Sequence, residues 1–224
     1  MLNRIITLDE VDSTNNYLKL NRGELPDGTL VTARIQTAGK GRRGHEWLAD
    51  QGMLPLSLLL KQPPHPDTLT LCAGVAVCEA LEPLLPGEEL GIKWPNDIIL
   101  HGHKLCGILC ESVCFGSSMD IVCGIGVNLA QTAEFFEKAN IPHGGSVEML
   151  TGVTINDRDK LAEDIAERLY SYSRSGFESV REKYVKRCLT VGKKIRIIEN
   201  GSEREAFAEG IAPNGFLVLS LIHI

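Results

Sequence analysis

No stretch of this sequence is apolar for long enough to cross a bilayer; the longest such run, "MLPLSLLL", is about the length of one strand. The opening "MLNRIITLDEV" has no secretory h-region and no small-residue cleavage site. Both absences predict a cytoplasmic protein with no membrane partner. Redox and zinc motifs are missing too. The seven cysteines are an odd number, with no CxxC and no Cys/His pair at zinc spacing. That argues against a disulfide framework or a structural metal. Cys106, Cys110 and Cys114 recur every four residues; a three-thiolate site fits this spacing, and so do three small buried hydrophobes. Positive charge is not in excess either. The formal net charge is -6, which argues against general nucleic-acid binding and leaves room only for a local anion site. There is no internal repeat and no low-complexity tract.

What is present is ordinary globular material: 224 residues, 43% hydrophobic and 23% charged, enough for one domain or one large domain with a small appendage. "RIITLDEV" and "TLVTARIQ" read as strands, with a helix between them that starts at Ser13 or Thr14. "GMLPLSLLLK" reads as a strand buried on both faces. "PDTLTLCAGVAVCEALEPLLPG" reads as a helix ended by Pro-Gly. Four strands follow in "LGIKW", "NDIILHG", "HKLCGILCESVC" and "SMDIVCGIGVNL", with turns at Pro95-Asn96, His101-Gly102-His103 and Gly116-Ser117. "AEFFEKAN" and "SVEMLTG" are short helices. The run from Asn156 to Cys188 is one long amphipathic helix, or two broken near Ser173 to Gly176. Short strands then take over. Hairpins outnumber βαβ units, so the expected class is α+β: a mixed, mostly antiparallel sheet with helices packed on one side. The expected division is 1–187 and a small β domain at 188–224.

Three clusters carry chemistry. The first is "QTAGKGRRGHEW", residues 36 to 47. It lacks the Lys-Ser/Thr pair of a Walker loop. Gly39, Gly41 and Gly44 match GxGxxG spacing, but the segment leads into Trp47 and a strand rather than a helix, so a dinucleotide site is disfavoured. Two readings remain: a solvated turn, or a mobile clamp in which glycines let the backbone approach a ligand and Lys40, Arg42 and Arg43 neutralise an anion. The second cluster is "KWPNDIILHGHKLCGILCE". Asn96 and Asp97 stand at a strand edge, where Asn can read a polar group and Asp can hold Mg²⁺. Lys104 opens a strand in which Gly107, between Leu105 and Ile108, would leave room for a ligand. The third is "GIGVNL", where Gly124 and Gly126 thin a strand that Asn128 ends.

Together these residues resemble the biotin protein ligases. That family's motifs run in the order found here: Ser13-Thr14-Asn15, Gln36 to Trp47, Lys93 to Asp97, Lys104 to Glu111, and Gly124 to Asn128. The resemblance implies a class II synthetase-like catalytic domain and a small SH3-like C-terminal domain. It implies that biotin and MgATP give biotinyl-5′-AMP, whose biotin passes to a lysine of a biotin carboxyl carrier protein. Lys104, with Arg42, is implied as catalytic. Ser13, Thr14, Asn15, Gln36, Gly39, Lys40, Gly41, Arg42, Lys104, Gly107 and Ile108 would hold biotin. Arg42, Arg43, Trp47, Asn96, Lys104 and Asn128 would hold ATP, and Asp97 would hold Mg²⁺. The cysteines are spectators.

The match has departures. Lys40 stands where the family often has Arg, which loses a two-pronged contact. His45 stands where an Arg often follows the last glycine. The C-terminal segment resembles the SH3-like domain but lacks its closing hairpin, and "LIHI" does not match it, leaving an unpaired edge. Only one strand precedes the Ser13 helix, so no helix-turn-helix arm and no DNA partner are expected: a monofunctional ligase. Two other readings stand beside this one. A lipoate ligase or octanoyltransferase would carry a glycine-rich signature ending in Val-His, which is missing. A non-catalytic biotin binder would have no need of Lys104. A homodimer is left open, as is order in loop 37–46 without ligand.

Overall fold

The computed structural model describes residues 1–116, 118–199 and 202–221. The main sheet has seven strands: β1 (Arg4–Val11), β2 (Thr29–Gln36), β3 (Met53–Leu60), β4 (Gly91–Lys93), β5 (Asp97–Leu100), β6 (His103–Phe115) and β7 (Ser118–Asn128). Their order is β1-β2-β3-β7-β6-β5-β4. The helix α1 (Thr14–Asn21) carries the chain back so that β2 runs parallel to β1; every other neighbouring pair is antiparallel. Ser13 caps α1 by accepting the N–H of Asn16, which satisfies one of the donors a helix start leaves orphaned.

β3 lies inside the sheet, between β2 and β7, and all of its residues are buried. Its alternation serves two cores. Leu54, Leu56, Leu58 and Leu60 pack with α2 (Leu69–Leu81) and α5 (Arg158–Ser175). Leu59 points the other way and joins Val31, Val122 and Leu18 of α1. Each buried leucine contributes about 2 kcal/mol, so both layers draw on β3, as they do on β2 and β7. The expected one-sided helix layer describes α2, α5 and α6 (Arg181–Arg187). The small helix α1 lies on the opposite face, because Val31, Leu59 and Val122 make a second apolar patch there that Leu18 covers. The long amphipathic run is two helices: Gly176, at φ 79, ends α5, and a short turn leads into α6. Two short helices, α3 (Ala133–Lys138) and α4 (Val147–Thr151), follow β7.

A second, antiparallel sheet contains β8 (Lys194–Glu199), β9 (Ser202–Ile211) and β10 (Leu217–Leu221) in the order β10-β9-β8. It is tied to the first by polar bonds and apolar contact. Trp94 Nε1 donates to the Gly215 carbonyl at 3.1 Å, and the Arg181 guanidinium donates to the Ile211 carbonyl at 3.1 and 3.0 Å. Ile211 itself belongs to the main core. Residues 222–224 of the "LIHI" ending lie outside the described residues, as does Ser117 of the expected Gly116-Ser117 turn.

Candidate active site

Opposite the α2/α5 layer, a cavity of about 60 Å³ opens on the sheet face. The start of α1 supplies Ser13, Thr14 and Asn15; β2 ends in it at Gln36; β3 gives Pro55; β6 and β7 give the glycine-lined floor; loop residues 40–42 and Trp47 roof it. A crevice of about 910 Å³ adjoins it beneath the loop and reaches Leu109 and Glu111.

Lys104 reaches this face because of a one-residue bulge. On a regular strand residues 104 and 107 have opposite parity and point to opposite faces. Here Ile98 pairs with Cys106 but Ile99 pairs with Lys104, so Leu105 is an extra residue and the parity is reset. Lys104 Nζ lies 2.7 Å from Asp97 Oδ1 and 5.1 Å from the centroid of the Trp47 ring. Asn96 is held by two bonds to Ile108: its Nδ2 donates to the Ile108 carbonyl, and its own carbonyl accepts the Ile108 N–H. Its Oδ1 accepts from Arg42 Nη1 at 2.9 Å.

The glycines do a different job from the expected one. A Cβ on Gly107 would stand 2.7 Å from the Trp47 ring, and one on Gly126 would stand 2.5 Å from Trp47 Nε1. A Cβ on Gly124 would meet Asn15 Oδ1 at 2.3 Å. The thinned strands thus make room for an indole and an amide of the protein itself. The loop arches back on its own backbone: Gly41 N–H bonds to the His45 carbonyl and Trp47 N–H to the Gly39 carbonyl. Lys40 Nζ donates to Asn16 Oδ1 at 3.2 Å, tying the loop to α1.

Behind the cavity runs a polar chain. Gln36 Oε1 accepts the Thr14 N–H at 3.0 Å. Ser57 Oγ lies 2.7 Å from Thr14 Oγ1 and 2.6 Å from Asn15 Oδ1. Asn15 Nδ2 donates to Glu111 Oε2 at 2.8 Å and to the Leu109 carbonyl at 3.3 Å, while Lys19 Nζ donates to Glu111 Oε1 at 2.8 Å. Burial pushes the Glu111 carboxyl up, but the bonds from Lys19 and Asn15 outweigh it and hold the group below the ordinary glutamate range.

The fold brings most of the expected residues to one cavity: Ser13, Thr14, Asn15, Gln36, Lys40, Gly41, Arg42, Trp47, Asn96, Lys104, Gly107 and Ile108. Ile108 contributes backbone; its side chain packs in the α2/α5 core. Gly39 and Arg43 border the outer crevice. Asn128 is buried away from the cavity lining. Its amide donates to the carbonyls of Lys104 and Gly145 and its Oδ1 accepts from Gln131, so it fastens the start of β6 to the segment before α4. Sequence reasoning gave no role to Lys19, Ser57 or Glu111. A lone serine inside the apolar run of β3 was one available signal. The spacing of two from Gly107 through Leu109 to Glu111 was another, because it puts all three on one face.

Among the described residues no group of three His, Cys, Asp or Glu side chains could cage a metal. Asp97 gives the cavity region a carboxylate, and Lys104 sits on one of its oxygens. This donor set fits a Mg²⁺ carried mainly by phosphate oxygens and water rather than a protein cage.

The fold and site thus define a class: an α+β protein with a cavity between the thinned face of a sheet and a basic, glycine-rich loop, lined by Ser13, Thr14, Asn15 and Gln36 and by Lys104 and Arg42. Within that class the chain belongs to the biotin/lipoate A/B protein ligase family, whose model matches residues 8–128. It is 36% identical to the biotin–[acetyl-CoA-carboxylase] ligase of Paracoccus denitrificans, over 95% of this chain and 92% of that ligase. It is 30% identical to the bifunctional ligase/repressor BirA of Escherichia coli, over 96% of this chain and 68% of that protein. The structure of the biotin protein ligase of Aquifex aeolicus in complex with biotin and ATP is similar at a TM-score of 0.80 and 28% identity, covering 97% of this chain and 92% of that one.

Proposed function

We propose that this protein is a biotin protein ligase. It joins the biotin carboxylate to the α-phosphate of ATP, releasing pyrophosphate and leaving biotinyl-5′-AMP. A lysine amine of a carrier domain then attacks the acyl carbon and AMP departs. The observation that carries this reading is the bulge at Leu105, which turns Lys104 into the cavity that Thr14 and Gln36 line. A carboxylate attacking a phosphate brings anion to anion. A fixed ammonium at the junction lowers that repulsion and stabilises the charge that builds on the leaving pyrophosphate. Arg42, drawn over the cavity by Asn96, adds a second cation. The loop roofs the adenylate and keeps water from its anhydride. Mg²⁺ bound with the triphosphate would supply further charge neutralisation.

The ligase named for acetyl-CoA carboxylase in Paracoccus denitrificans supports a carrier domain of that type as the acceptor. A cytosolic setting fits seven free thiols. We read 1–187 as the catalytic domain and 188–224 as a small β domain of SH3 type. The test is biotin-dependent exchange of labelled pyrophosphate into ATP. Exchange with biotin and none with lipoate is the expected result. Exchange driven by lipoate would move the protein to the other branch of its family. Biotin binding without exchange would make it a binder.

A further inference from the structure

The polar chain behind the cavity has a direction, and two groups at its far end fix it. Glu111 Oε2 and the Leu109 carbonyl are acceptors only, and both face the same terminal atom of Asn15 at 2.8 and 3.3 Å. That atom is therefore the amide nitrogen, and the oxygen of Asn15 is left facing Ser57 at 2.6 Å. An amide oxygen only accepts, so the single Ser57 proton goes to Asn15. The 2.7 Å contact between Ser57 Oγ and Thr14 Oγ1 then takes its proton from Thr14. The Thr14 hydroxyl proton is then not available to Gln36 Oε1, 3.3 Å from the hydroxyl oxygen, which keeps only the Thr14 backbone N–H at 3.0 Å and has a lone pair left. Two acceptors thus stand side by side at the cavity, and they call for an N–H between them.

We propose that Glu111 is a positioning residue for the ligand's polar head: held by Lys19, it fixes the Asn15 amide and, through Ser57, makes Thr14 an acceptor for a ligand N–H. This rests on the biotin reading above. It deepens that reading, because the cyclic urea of biotin offers N–H donors of this kind and the dithiolane ring of lipoate offers none. Gly124 is part of the device, since only a residue without a side chain leaves Asn15 its place. The loss expected on breaking the chain is that of one hydrogen bond to a buried partner, about tenfold in affinity.

Glu111→Gln removes the acceptor-only end. Its KM for biotin should rise about tenfold while kcat and the KM for ATP stay within about twofold. The unaltered protein should bind biotin about a hundredfold better than biotin methylated on the ureido nitrogen, and the variant should lose about a factor of ten of that preference. An unchanged KM for biotin, a joint rise for biotin and ATP, or an unchanged preference against the methylated analogue would overturn the proposal. Ser57→Ala breaks the same chain by deleting one buried oxygen and settles the matter if Glu111→Gln does not fold. It should show the same selective loss, and a normal KM for biotin in it sinks the idea. The underlying reading fails separately, when the unaltered protein catalyses no biotin-dependent pyrophosphate exchange.

Discussion

In the proposed mechanism the chemistry turns on Lys104. Its ammonium has one carboxylate partner, Asp97, and lies over the face of Trp47. Removing a charge placed where negative charge develops costs about 10²- to 10³-fold in the chemical step. Lys104→Ala should therefore lower kcat for biotin-dependent pyrophosphate exchange by that factor while biotin still binds; a variant with normal exchange would remove Lys104 from the mechanism. Trp47 is the other pivotal side chain. Its Nε1 donates to Met53 Sδ and stands where a Cβ on Gly126 would be 2.5 Å away. Gly126→Ala must displace the indole. In a Trp94→Phe background, which leaves Trp47 as the sole tryptophan, Gly126→Ala should shift the emission maximum and raise the KM for ATP. An unchanged spectrum would mean that the ring does not rest on β7.

At the scale of elements, the loop from residue 37 to 52 is held by its own backbone bonds as well as by the anchors of Lys40 and Arg42. A Cβ at Gly39 would lie 2.3 Å from the Trp47 carbonyl oxygen, a backbone atom that cannot step aside without opening the arch. Gly39→Ala should therefore leave stability nearly intact but let biotinyl-5′-AMP escape or hydrolyse about 10²-fold faster, the usual cost of a misplacement of about 1 Å at a reacting centre. Release of the adenylate, followed by chromatography in the absence of a carrier domain, measures this directly. The loop's place was legible in its glycines and basic residues. Its anchor to Asn96 was not, because Arg42 and Asn96 are 54 residues apart and nothing local pairs them. Likewise the alternation in β6 could be read as a strand, but periodicity alone assigns Lys104 and Gly107 to opposite faces. Only the pairing register with β5 exposes the extra residue.

For the whole molecule, one carboxylate joins three helices. Glu79 of α2 accepts from Tyr172 of α5 and pairs with Lys183 of α6 and Arg168 of α5. Burial raises its proton affinity, but the bonds from Lys183 and Tyr172 prevail, so its folded pKa lies below the ordinary 4.5. A depressed carboxylate contributes stability that is complete above the unfolded value and is lost as pH falls through the folded one. Tm should hold steady above about pH 4.5 as far as this group is concerned and drop below it; in Glu79→Gln that acid drop should be shallower. The thiols make a second global test. Burial pushes Cys72 and Cys78 up to about 12, and Cys114 is exposed. A thiol reagent at neutral pH should modify Cys114 quickly in the folded protein and Cys72 and Cys78 only on unfolding. Rapid labelling of Cys72 would contradict the packing of α2 on the sheet.

By itself the sequence determined the elements, the order of the strands along the chain, the glycine-basic loop and most of the residues that meet at the cavity. These follow from local chemistry: alternation, caps, turn residues and composition act over a few positions. Tertiary structure decided the rest, because each remaining feature depends on groups far apart in the chain. The second core under α1 exists only where β2, β3 and β7 lie side by side. Lys104 faces the cavity only through its register with β5. The glycines of β6 and β7 admit Trp47 and Asn15 rather than open space, and Asn128 is used up in holding two segments together. The directed chain from Lys19 and Glu111 to Thr14 spans nearly a hundred residues of sequence and becomes a single line of protons only when the sheet closes.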